Sequence, residues 1–78
     1  MNNPKYLNLY DPKTAETIEY DMDTVDRVTI APARELMSPT TRELKHVDAL
    51  DIVLRVQLKG ESSKEYSLKQ YNMEFIYP

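Results

Sequence analysis

Residues 51–59, Asp51-Ile52-Val53-Leu54-Arg55-Val56-Gln57-Leu58-Lys59, alternate more regularly than any other stretch of the chain. In an extended backbone successive side chains point to opposite faces, so Ile52, Leu54, Val56 and Leu58 share one side and mostly polar groups take the other. That period predicts a half-buried β-strand and commits the fold to at least one sheet. No catalytic or ligand-binding motif accompanies it, so it speaks about folding rather than chemistry.

Other segments repeat the pattern. Lys5 to Tyr10 places Leu7 and Leu9 opposite Tyr6, Asn8 and Tyr10, and Asp11-Pro12-Lys13-Thr14 reads as a turn with proline at its second position. Ala15 to Met22 then returns with Ile18, Tyr20 and Met22 inward and Thr17, Glu19 and Asp21 toward water, which makes a first hairpin with an acidic outer face. After a short connection at Asp23-Thr24-Val25-Asp26, a third strand over Arg27–Ala31 sets Val28 and Ile30 against Arg27 and Thr29.

The period of two is lost from Pro32 to Leu50. Ser38-Pro39 offers a capping hydroxyl followed by proline at the first helical position, and predicts a short helix near residues 39–46. A turn at Ala33–Met37 can also be helical but not continuous with it, because the residue before a proline is pushed away from helical angles. The chain's one glycine sits in Gly60-Glu61-Ser62-Ser63, where a turn needs a positive φ, and predicts a second hairpin. In the last segment the apolar parity changes at Lys69-Gln70, the mark of a β-bulge or a break.

The expected fold is mainly β (α+β): about five antiparallel strands, in a sheet or a small partly open barrel, with one short helix. At 78 residues this is one small domain, burying on the order of 60% of its unfolded surface. With no cysteine it lacks disulfides, thiolate metal sites and a thiol nucleophile, so homo-oligomerisation is the staple left to it. No apolar run reaches the roughly 20 residues that span a bilayer, and the first residues carry no apolar stretch of a secretory signal; the expected location is cytoplasmic.

A net charge of −3 argues against general nucleic-acid binding, which draws on many Lys and Arg contacts to phosphate. It favours a basic partner. Glu16, Glu19, Asp21, Asp23 and Asp26 follow one another without a base between them. They do not fit a calcium loop, since counting from Asp21 puts Asp26 where glycine is required and Pro32 where a bidentate glutamate belongs. The bland reading is a solvated acidic turn guarding a strand edge; the functional one is a surface for a basic protein.

His46, between Glu43 and Asp48, is a general-base candidate without a nucleophile in a recognisable turn, and a helix C-terminus explains a histidine there equally well. Arg34, Ser38, Thr40, Thr41 and Arg42 combine guanidiniums and hydroxyls near a helix start, the composition of an anion site, but they are equally explained by capping and surface ion pairs. Tyr71, Met73 and Tyr77 form a contact strip near the C-terminus that can pair with a second copy or another protein's edge, since tyrosine is enriched where proteins meet.

The expectation is therefore a non-enzymatic interaction protein without a cofactor or metal. It would inhibit or adapt a partner, in the manner of phage or mobile-element inhibitors of bacterial proteins, through Tyr71, Met73, Tyr77, Glu19, Asp21 and Asp23. The alternative is a binder of a small anion such as a nucleotide, held by Arg34, Arg42 and helix-start amides in an oligomer.

Overall fold

A computed structural model describes residues 3–78. The order is β1 (Tyr6–Asp11), β2 (Glu16–Asp21), a 3₁₀ turn (Met22–Thr24), β3 (Val25–Pro32), α1 (Ala33–Leu36), α2 (Pro39–Leu44), β4 (Ile52–Leu58), β5 (Lys64–Ser67) and β6 (Asn72–Ile76). The strands form two three-stranded antiparallel sheets, β2-β1-β6 (sheet 1) and β3-β4-β5 (sheet 2). Six strands thus replace the expected five, and the sheets do not close into a barrel.

The extra strand comes from the parity change at Lys69-Gln70. It is a break, not a bulge: Gln70 and Tyr71 amides both donate to the Ser67 carbonyl, turning the chain out of sheet 2. Strand β6 then pairs antiparallel with β1, Leu7 opposite Phe75 and Leu9 opposite Met73. A bulge does occur, but in β3, where the register shifts between Val25 and Arg27. The extra residue lets β3 begin two residues earlier than the alternation suggests, with Val25 buried.

The first hairpin closes on Asp11. Its carboxylate Oδ1 accepts from the amides of Lys13 at 2.8 Å and Thr14 at 3.4 Å. The Ala15 amide donates to the Asp11 carbonyl, and Ala15 takes a left-handed φ of 62°. In the second hairpin Gly60 takes φ +71°, as the turn composition requires.

Leu7 and Leu9 of sheet 1 meet Val25, Leu54 and Val56 of sheet 2 in the main core, with Ile18, Tyr20, Met73 and Phe75 packed around them. Sheet 2 extends past this cover. Ile30 and Ile52, both expected inward, are 52% and 44% exposed. They lie next to Leu54 on its own face, at the end that sheet 1 does not reach.

Strand β4 is buried on both sides. Val53, on the face expected to be polar, packs against Ala33 and Met37 with Leu36 and Val47 around them. Helix α1, with Met37 and Val47 on either side of α2, is therefore a lid on sheet 2, tied down by the Arg55 guanidinium donating to the Leu36 carbonyl and by the Ala33 and Arg34 amides donating to Asp51 and Ala49 carbonyls.

Helix α2 ends at Leu44, two residues short of the expected His46. Ser38 caps its start, accepting from the Thr41 amide at 3.2 Å. At its end the His46 amide donates to the Glu43 carbonyl and the Val47 amide to that of Arg42, a Schellman motif that places His46 at φ 56° where glycine is the usual occupant. His46→Gly is expected to stabilise the fold by about 1 kcal/mol, a rise of about 4–8 °C in thermal midpoint, by relieving the left-handed cost. His46→Val should lower the midpoint instead.

Candidate functional site

The lid covers sheet 2, and sheet 1 keeps one face bare. With Leu7 and Leu9 in the core, alternation sends Tyr6, Asn8 and Tyr10 outward from β1, and register fixes their neighbours. Asn8 lies between Glu19 of β2 and Glu74 of β6; Tyr6 between Asp21 and Ile76; Tyr10 between Thr17 and Asn72. The nine positions carry three carboxylates, two tyrosine rings and no lysine or arginine. The Lys5 ammonium reaches this face only at its margin, 5.8 Å from the centroid of the Tyr6 ring. At the centre, Asn8 Oδ1 is shielded from solvent and accepts no hydrogen bond.

Of the acidic candidates, Glu19 and Asp21 stand exposed on this face, while Asp23 borders it from the 3₁₀ turn. Asp21 also has a structural task, since its carboxylate accepts from the Asp23 amide at 2.9 Å and caps the turn. Sequence reasoning missed Tyr6, Tyr10 and Glu74 as companions of these acids. The β1–β2 alternation pointed to the first two, but the pairing of β6 with β1 was needed to bring Glu74 across.

The C-terminal strip divides. Met73 and Tyr71 pack against the main core, and only Tyr77, 56% exposed, is open to a partner. Tyr71 stands edge-on to Tyr66 with ring centroids 5.3 Å apart, and Tyr66 edge-on to Tyr20 at 6.2 Å. The Tyr20 and Tyr66 hydroxyls are hydrogen-bonded, and Tyr71 donates to Glu16 Oε1 at 2.8 Å. Burial and the Tyr20 hydroxyl push the Tyr66 phenol up, and the Glu16 carboxylate pushes up that of Tyr71. These half-buried rings form a hydrogen-bonded group that ties β2 to β5 and to the turn before β6.

The anion candidates do not converge on a cavity. Ser38 and Thr41 are hydrogen-bonded to each other, Arg42 donates to the Met37 carbonyl at 3.4 Å, and Arg34 and Thr40 stand exposed. His46 is held by its backbone role at the end of α2. Among the described residues, no three of His, Asp and Glu are grouped to hold a metal ion, and no helix is long and apolar enough to cross a membrane.

Asp11 is a further buried polar group that the sequence hid, 2% exposed. Gln70, 59 positions away, donates from Nε2 to its Oδ2 at 3.0 Å. That bond and the Lys13 amide hold its carboxyl below its ordinary value of 3.8. Because the folded value is depressed, the unfolded chain takes up the proton first as pH falls. Asp11 therefore stabilises the fold above 3.8 and loses that contribution as pH drops through the lowered value. Urea midpoints should show wild type losing more stability than Asp11→Asn between about pH 5 and pH 3. Parallel curves would contradict the assignment.

Comparison with protein-family models, with curated proteins and with solved structures returns no match.

Proposed function

We propose that the chain is a non-enzymatic interaction module that binds a partner protein through the bare face of sheet 1, and inhibits or adapts that partner by occupying a basic surface on it. The observation that supports this most is the composition of that face: Glu19, Asp21 and Glu74 around Tyr6 and Tyr10, with no base among its nine positions. A carboxylate field repels phosphate backbones and steers a cationic protein surface inward. The tyrosines supply broad contact area at low conformational cost, as rings do at protein interfaces. Asp23 and Tyr77 extend the contact at its margins.

Capture from lysate of the source cells, read by mass spectrometry, tests the proposal with a paired variant. Glu19 and Glu74 are exposed edge-strand residues, so Glu19→Lys with Glu74→Lys reverses the face without disturbing the core. A protein retained by wild type and lost by the variant, with retention weakened by salt, is the expected result. Equal retention by both chains contradicts it.

A further inference from the structure

We infer that β3 is the seam of a symmetric dimer: its open edge pairs antiparallel with the same strand of a second copy, joining the two copies of sheet 2 into one sheet. The phase of the β3–β4 ladder decides which backbone groups are available. The Ala33 amide donates to the Asp51 carbonyl opposite it, and directly bonded pairs recur at every second residue, so Ala31 and Thr29 also turn their N–H and C=O groups toward β4. Val28 and Ile30 turn theirs outward. Among the described residues nothing bonds to them, because β3 has no neighbour on that side.

One antiparallel register satisfies this edge in full. With Val28 opposite Ile30 of the second copy the two exchange both N–H···O bonds, and a twofold axis between the facing Thr29 residues repeats the exchange on its other side. A slip by the sheet's two-residue period one way sets the Val28 carbonyl against Pro32, which has no N–H; the other way it sets Ile30 against the Val25–Arg27 bulge. The same register lays the Ile30 side chain, 52% exposed, beside Val28 of the second copy.

Charge selects a copy of this chain as the occupant. Asp26 and Arg27 precede the open stretch and Arg34 and Glu35 follow it, all four exposed and none in an ion pair among the described residues. Antiparallel pairing brings the start of each strand alongside the end of the other, so an acid and a base face a base and an acid at both ends. The other edges do not suit a copy. Strand β2 carries Glu16, Glu19 and Asp21 and β6 carries Glu74, with no base in either, so two copies would set like charges together. Strand β5 has only four residues, and its Ser67 carbonyl is already bonded to the Gln70 and Tyr71 amides. A seam as short as that of β3 belongs with the interfaces under about 1,200 Å² that hold weak dimers, half assembled at about 100 μM. No residue of β3 lies on the outer face of sheet 1, so the inference stands apart from the protein interface.

Sedimentation equilibrium and amide hydrogen exchange test it on the intact chain. The mean mass is expected to climb from the 9.1 kDa of one chain toward twice that between about 10 μM and about 1 mM. Exchange at Val28 and Ile30 should slow over the same range, while Thr29 and Ala31, bonded to β4, stay protected throughout. Ile30→Lys should weaken the dimer about tenfold or more, whereas Ile52→Lys, on the central strand, should leave it unchanged. A monomeric mass at about 1 mM overturns the inference, as does a dimer in which Val28 and Ile30 still exchange freely, and neither result needs a variant to fold. So do a folded Ile30→Lys chain that dimerises as before, or a dimer lost in a folded Ile52→Lys chain, the mark of copies stacked on the exposed corner of Leu50, Ile52 and Leu68.

Discussion

Leu54→Ala is expected to remove about 2–5 kcal/mol of stability, the range for truncating a fully buried leucine where the surroundings cannot collapse. Leu54 is fully buried in the central strand of sheet 2, flanked by Ile30 and Tyr66 on its own face, and packs in the cluster that joins both sheets. A chain of this length has roughly 4–12 kcal/mol in all at the usual margin per residue. One methyl-rich side chain therefore carries a large share. Urea unfolding reads it as a midpoint lowered by about 2 M or more at a slope of about 1 kcal/mol per molar. A shift under about 0.5 M would mean that the sheets do not meet at Leu54.

Val53→Asp is expected to be as damaging or worse, several kcal/mol, because it sets a carboxylate under the helical lid beside Ala33 and Met37. Val53 is 1% exposed and packs among the apolar side chains of Ala33, Leu36, Met37 and Val47, which offer a carboxylate no hydrogen bond. The variant should unfold at room temperature or show a thermal midpoint collapsed toward it. The same change on a solvated strand face costs within about 0.5 kcal/mol. A mild effect would detach α1 from sheet 2.

That contrast marks where the sequence is legible and where it is not. Local signals carried through. The Leu7/Leu9 and Leu54/Val56 alternations, the Ser38-Pro39 helix start, the break from helical angles at Ser38 and the left-handed Gly60 all lie where propensity and turn chemistry place them. Each is decided within a few residues. Val53 was misassigned because alternation assumes one wet face, and the lid that dries the other is a tertiary fact. Ile30 and Ile52 show the converse, apolar positions in register with the core but beyond the reach of the opposing sheet. The parity change at Lys69-Gln70 was visible, yet only pairing with β1 tells a departing strand from a bulge.

The functional face was half visible for the same reason. Its acids on β2 and tyrosines on β1 lie in the first hairpin, whereas Glu74 arrives from the far end of the chain. Met73 pointed inward once β6 took its register, and Tyr71 packs on the core from the turn before it. Asp11 and Gln70 form a contact that no local pattern announces.

The bare acidic face is the centre of the account, and hydrogen exchange of the chain alone and saturated with its captured partner tests it most directly. Slowed exchange should concentrate in β2 and β6, the two edges of sheet 1, and in the 3₁₀ turn that carries Asp23, while Ala33–Leu44 exchanges as before. Protection confined to α1 and α2, with sheet 1 unchanged, would contradict it.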